Sequence, residues 1–285
     1  MRTLAKTAGI LAFATALATI VPSPSHAQAT IKAVKVAQPG PLLDPEAASW
    51  KSARDVDVAL QPQTVTAPTN PDPAVKQIRV RAIHNDKWLA LRIQWRGSTR
   101  SDELVSDTFG DQVAVEFPIN SATDALPTPM MGNDGGRVNI LQWRAALQRD
   151  LQQGPPTIRR LYPNAQDDVY PDQILTAVDS LPYQGAIAVD NPVSRAHFSP
   201  VLDQVAEGWG TLTVKQQQRA DGRGSWRNGQ WTVVIALPMT ADGPDSPGFL
   251  AGAKTMVAFA VWEGAHHEVG SRKSWSDWTP IEIAR

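Results

Sequence analysis

The sequence predicts an all-β chain: an antiparallel β-sandwich with long loops and one or two short helices. Three observations lead there. The chain holds 10 Trp and 23 Pro but shows little helical periodicity. Short apolar segments follow one another at close spacing. Asn228-Gly229, between Trp226 and Trp231, is the clearest hairpin signal, because Asn-Gly supplies the two positive-φ positions of a type I′ turn.

Taken in order, residues 1–27 stand apart. Arg2 and Lys6 precede an apolar or small run over 7–21, and Ser25-His26-Ala27 forms a small-x-small cleavage site. This pattern predicts a secretory signal peptide, too short and wrongly flanked for a membrane span. Cleavage is expected after Ala27, with Ala29 as the second choice. Residues 1–27 hold no Arg-Arg pair, so a Sec-type route is expected rather than a twin-arginine one. Residues 28–285 are then expected to form one exported domain with no membrane span, placed in a bacterial periplasm.

Within that domain, residues 78–83 alternate in part, and 85–87 read as a turn. Leu89, Leu91, Ile93 and Trp95 then alternate cleanly with Ala90, Arg92, Gln94 and Arg96, which predicts a hairpin with one buried face. Val113, Val115 and Phe117 continue the pattern. Residues 139–152 are the one short stretch with helical character between Arg144 and Glu207, a region otherwise rich in Pro, Gln and Asp. Loops of that length within one domain usually have work to do. Residues 210–217 read as a strand, and 232–237 as the return strand of the Asn-Gly hairpin. The nearly continuous apolar run 255–262 suggests a central strand buried on both sides. Residues 278–283 would close the sheet.

Composition excludes several functions. The 285-residue chain carries 27 basic and 28 acidic residues without a Lys/Arg block. Nucleic acid as the main partner is therefore disfavoured, since phosphate binding needs a concentrated positive face. Cysteine is absent. That removes covalent c-type haem, iron–sulfur clusters and Cys zinc sites. There is no Gly-x-Ser-x-Gly and no phosphate-binding glycine loop, so no independent catalytic site is expected.

The candidate ligands are few. His84, at a predicted hairpin tip, reads as solvated, and His197 lies in a loop. His266 and His267 follow an apolar strand, but adjacent side chains of an extended chain point opposite ways and make a poor two-ligand site. Asp167, Asp168 and Asp172 read as a solvated acidic loop without calcium-loop spacing. Met130 and Met131 stand side by side in a Pro- and Gly-rich loop, in a chain with only five Met. A loop Met can fill an irregular gap. Its thioether is also a soft, neutral ligand suited to copper(I) or haem iron.

Four stretches then carry a resemblance. They are GDQVAVEFP at 110–118; Met131-Gly132 with RVNILQWRA at 137–145; AEGWGTLT at 206–213 with the hairpin at 222–234; and AFAVWEG at 258–264, followed by Arg272-Lys273-Ser274 and Trp278. Together, in this order, they resemble the haem b-binding gamma subunit of the type II dimethyl sulfoxide reductase family of molybdoenzymes. That group includes the ethylbenzene dehydrogenase, dimethylsulfide dehydrogenase, selenate reductase and chlorate reductase gamma subunits. The likeness runs from about residue 30 to the C-terminus.

The resemblance implies a β-sandwich holding one non-covalent haem b. Its iron would sit between the Met of the Met-Gly motif, Met131, and the Lys of the C-terminal Lys-Ser element, Lys273. Met130 would line the pocket, and glycines beside it would let the backbone pass close to the porphyrin. Arg137, Trp143 and Trp262 are further candidates for propionate or porphyrin contacts. Implied partners are the molybdenum catalytic subunit and iron–sulfur subunit of a heterotrimer, and a soluble carrier such as a c-type cytochrome. Two departures bear on the ligands. EGAHHE at 263–268 replaces a stretch richer in Asn and Gly, so His266 or His267 competes with Lys273; His is largely neutral at pH 7. Lysine must lose its proton to bind iron, at a cost of about 4 to 5 kcal/mol at pH 7. Leu141 also stands where an aromatic residue is common in the family. Two other readings of a Trp-rich exported sandwich are a carbohydrate-binding module and a haem-free structural subunit.

Overall fold

The computed structural model describes residues 29–119, 125–164, 185–195 and 197–285. The expected signal peptide at 1–27 and the acidic Asp167, Asp168 and Asp172 lie outside these residues. Fourteen strands form among the described residues. In chain order they begin with β1 (Ile31–Lys35), β2 (Val56–Ala59), β3 (Gln61–Pro62), β4 (Gln77–His84), β5 (Trp88–Arg96), β6 (Gln112–Pro118) and β7 (Val138–Arg144), and helix α1 (Ala145–Gln153) follows. The remainder are β8 (Val201–Ala206), β9 (Thr213–Val214), β10 (Asp221–Arg227), β11 (Gln230–Pro238), β12 (Lys254–Trp262), β13 (Ser274–Trp275) and β14 (Thr279–Ile283).

One strand ties two sheets together. Residues 254–257 of β12 pair with β14, which closes a sheet of order β10-β11-β5-β4-β1-β14-β12. Residues 258–262 of the same strand pair with β6, opening a second sheet of order β12-β6-β7-β8-β9. The expected central strand is thus more than central: it passes from one layer to the other. Its continuous apolar run is what a strand needs when both faces and both ends are covered.

Most pairings are antiparallel, as expected. The exception is β1, which runs parallel to both neighbours, β4 and β14, so the first sheet is mixed. The pairing is long-range, with Ile31 opposite Ile281, and no local pattern announces it. The Asn-Gly turn forms as predicted: Asn228 and Gly229 have φ of 52° and 72°, and Trp226 faces Trp231 across the hairpin. The helical reading of 139–152 divides at Arg144. Up to there the chain is strand β7, held between β6 and β8, and only residues 145–153 are helical. Of 210–217, only Thr213–Val214 pair. His84 is not solvated but fully buried at the end of β4, and burial pushes its pKa below the usual histidine range.

The two sheets enclose a core of Leu89, Leu91 and Ile93 from β5, Val233 and Ile235 from β11, and Val113, Val115, Phe117 and Leu141 from β6 and β7. Each such side chain contributes about 1.5–3 kcal/mol by leaving water. At one end Trp143 meets Trp231 edge to face, with ring centroids 5.0 Å apart. Gly224 of β10 makes room for it, since a Cβ there would lie 2.4 Å from the Trp143 ring. Gly224→Ala should therefore lower stability by about 1–3 kcal/mol. A urea denaturation midpoint equal to wild type would show that the ring has space to move.

Candidate functional site

Strand alternation gives the second sheet two faces. Val113, Val115, Phe117, Leu141 and Trp143 point into the core. Their alternates on β6 and β7 (Gln112, Ala114, Glu116, Ile140, Gln142 and Arg144) point to the other side. Loops fold over that outer face and enclose a cavity of about 610 Å³, a size typical of small-molecule and cofactor sites. Its walls are largely apolar, with Leu104, Phe109, Ile140, Trp209, Leu212 and Trp262 among the lining residues. A smaller recess beside it, bounded by Ala114, Glu116, Ala258 and Ala260, shares Met131, Trp262 and Lys273 with the cavity. Small residues on β6 and β12 thus set its depth.

Met131 reaches the cavity from the loop between β6 and β7. Its backbone is held in the left-handed region, at φ 70°, which is uncommon for a non-glycine residue. Two hydrogen bonds keep it there. The Met131 N–H donates to Glu116 Oε2 at 3.3 Å, and the Met131 carbonyl accepts from the Gly208 N–H at 2.7 Å. Backbone strain of this kind persists only where the surroundings over-determine it, and it gathers at functional sites. Gly132 is required by the loop itself. A Cβ at Gly132 would lie 2.3 Å from the Gly136 carbonyl oxygen. The glycine serves the tight loop that presents Met131.

Lys273 enters on a different loop, the one joining β12 to β13. That loop is clamped by buried Glu268, whose carboxylate accepts from the Glu263 N–H (2.9 Å), the Ala74 N–H (2.9 Å) and Asn70 Nδ2 (3.0 Å). Gln63 Nε2 donates to the Ser271 carbonyl at 3.0 Å, two residues before Lys273. Lys273 Nζ lies 5.4 Å from the centroid of the Trp262 ring, and the Trp262 indole N–H donates to the Gly270 carbonyl at 2.9 Å. Burial lowers the Lys273 pKa, and the negative charge of Glu116 opposes that shift. Glu116 is itself pushed up to about 7 by burial, against the pull of the Met131 N–H and Lys273. Its Oε1 has no hydrogen-bond partner.

Met130, Met131, Trp262 and Lys273 all line this one cavity. The other sequence candidates do not. Trp143 sits on the opposite face of β7, in the core, with its indole N–H donating to Gln148 Oε1 at 3.1 Å. Arg137 is exposed outside the cavity, bonded to Glu207 Oε2 at 2.9 Å and Asp245 Oδ1 at 2.8 Å. His266 and His267 are exposed. His266 Nδ1 lies 3.3 Å from Glu263 Oε2, and the His267 ring meets Phe109 edge-on. Both sit at the turn after β12, and neither is among the residues lining Lys273's cavity.

Glu116, Arg144, Asp111 and Glu268 were not singled out from sequence. Glu116 carries a legible signal, since it is the one charged residue in the apolar run 113–118. Asp111 and Glu268 act through backbone donors brought from distant loops, which no local pattern reveals.

Comparison with known proteins gives a family. A family model described as "Ethylbenzene dehydrogenase" matches residues 47–274. A chain of Haloferax mediterranei provisionally named respiratory nitrate reductase heme subunit ORF7 is 24% identical over 236 residues, covering 82% of this chain and 66% of that one. Chlorate reductase subunit gamma of Ideonella dechloratans is 24% identical over 248 residues, covering 85% and 80%. Dimethylsulfide dehydrogenase subunit gamma of Rhodovulum sulfidophilum is 26% identical over 182 residues, covering 61% and 48%. This chain therefore spans about two thirds of the first relative's length and about half of the third's. Among solved structures, a family 9 carbohydrate binding module from Caldicellulosiruptor kristjanssonii in complex with glucose covers 89% of this chain and 96% of its own, at 8% identity and a TM-score of 0.38. The match over 47–274 shows that this chain is a member of the ethylbenzene dehydrogenase family.

Proposed function

We propose that this chain is the exported, periplasmic electron-transfer subunit of a molybdenum oxidoreductase, binding one haem b between Met131 and Lys273. It would pass electrons between an iron–sulfur subunit and a soluble carrier such as a c-type cytochrome, with substrate chemistry in another chain. The observation that carries the reading is that Met131 and Lys273, 142 positions apart in sequence, enter one apolar cavity from two separately anchored loops.

The residues present fit the group. Met131 offers a soft, neutral thioether. Lys273 stands where burial favours the neutral amine that a metal requires, which offsets part of its deprotonation cost. Bound haem would supply a one-electron Fe(III)/Fe(II) couple, and a thioether from Met131 would raise its potential. The chain's part is to orient the ligands and exclude water. Trp262 fixes the Lys273 side of the cavity, and Leu104, Phe109 and Leu212 cover the outer side.

The test is spectroscopic. The protein produced with its haem supply should show a low-spin b-type spectrum, sharp α and β bands on dithionite reduction, and a protohaem pyridine haemochrome. Met131→Ala should lose the low-spin spectrum and retain haem at least about tenfold more weakly. A folded wild-type protein that stays colourless would sink the reading and bring the carbohydrate-binding or haem-free structural alternatives forward.

A further inference from the structure

One end of the cavity is polar. Gln142 Nε2 donates to Gln112 Oε1 at 2.7 Å, and Arg144 Nη2 donates to Gln142 Oε1 at 3.0 Å. All three side chains line the cavity, with Gln204 beside them. At this end Arg144 Nε is buried and lacks a partner. Arg144 also differs from the chain's other well-held arginines. Arg81 pairs with Asp55, Arg149 with Glu103, and Arg137 with Glu207 and Asp245. Among the described residues no carboxylate forms an ion pair with Arg144, and burial alone lowers its pKa.

A guanidinium does not escape such a site by losing its proton. Arg144 is half-buried with its Nε unpartnered, and a carboxylate held by the planar fork would satisfy that donor and balance the charge. An anion carried by the cavity's occupant would supply that charge. Glu116 does not supply it: it lies in the recess with Met131 and Lys273, and β6 places it four residues from Gln112, the strand partner of Arg144.

We propose that Arg144 is the anchor for a carboxylate of the cavity's occupant. On the haem reading, which this inference rests on, that carboxylate is a haem propionate. The cavity would then be sided, with an anion-binding end at Arg144 and Gln142 and an iron-ligand end at Met131 and Lys273. Arg144 acts as a positioning residue that decides which edge of the porphyrin faces the β7–α1 junction.

The experiment compares two ligands and three proteins. Haem and haem dimethyl ester, in which both propionates are esterified, are titrated into haem-free full chain and followed at the Soret band. Wild type should bind haem about 10- to 100-fold more tightly than the diester. Arg144→Gln should weaken haem binding by a similar factor and leave diester binding unchanged. Arg144→Lys, which keeps the charge but not the fork, should fall between. Equal affinity of wild type for the two ligands, or equal weakening of both by Arg144→Gln, would overturn the proposal while leaving the haem reading intact. Failure of folded wild type to bind either ligand overturns the haem reading itself. If Arg144→Gln does not fold, the wild-type comparison of acid and ester decides alone.

Discussion

Asp111→Ala should destabilise the folded protein by about 3–5 kcal/mol, measured by urea denaturation. Asp111 is almost fully buried just before β6, and three donors converge on it. The Ser101 N–H and the Trp231 indole N–H reach Oδ2, each at 2.8 Å, and the Gly264 N–H reaches Oδ1 at 3.0 Å. These come from the loop over the cavity, the inter-sheet core and the turn that begins the Lys273 loop. Removing the carboxylate leaves three buried donors without partners, at about 1–3 kcal/mol each before relaxation. The same junction holds Gly264, where a Cβ would lie 1.8 Å from the Phe109 carbonyl oxygen. A loss below about 1 kcal/mol would mean that the loops find other acceptors.

The same residue predicts a pH dependence. Burial raises the Asp111 pKa from 3.8 to about 6 in the folded state. The folded form therefore holds its proton longer than the unfolded form. This contribution to stability is fully present below about pH 4 and is lost as pH rises through about 6, amounting to roughly 3 kcal/mol. Asp111→Asn has no such titration. The stability of wild type relative to this variant should fall between pH 4 and 6 and level off above. A flat difference over that range would show that the carboxylate is charged throughout.

Lys273→Met should abolish the low-spin spectrum of the haem-loaded protein and weaken haem retention by about 100-fold. Met preserves much of the apolar stem over Trp262, so packing loss alone does not explain the change. Lys273→Arg should fail similarly, because a guanidinium does not give up the proton that ligation requires. The double variant His266→Ala, His267→Ala should leave the spectrum unchanged, since neither ring lines the cavity. A low-spin spectrum that survives Lys273→Met but disappears in the double histidine variant would reverse the ligand assignment.

Much of this molecule was legible in its sequence. The alternation in 89–95 and 113–117, and Asn228-Gly229, specified strands and a hairpin by local sterics alone. Positive φ is cheap for Asn-Gly, and a pleated strand shows its buried face every second residue. The Met131-Gly132 and Lys273-Ser274 elements pointed to a ligand pair. The helix read over 139–152 was half misplaced because β7 is covered on both faces, so its alternation is masked by apolar and amide side chains on either side.

What only the tertiary structure decided is which residues meet. β1 lies parallel between β4 and β14, with Ile31 paired to a residue 250 positions away, and β12 divides itself between two sheets. Neither arrangement has a local signature. Parity along β7 sends Trp143 into the core and Arg144 to the cavity, and a one-residue difference in register would exchange them. Arg137 and Arg144 are equally charged in sequence, yet one is neutralised by two carboxylates and the other is left with an open donor. Met131 and Lys273 are candidates that the chain itself displays; their convergence on one cavity, and its polar end, arise from strand register and from loops pinned by Asp111 and Glu268 across long stretches of sequence.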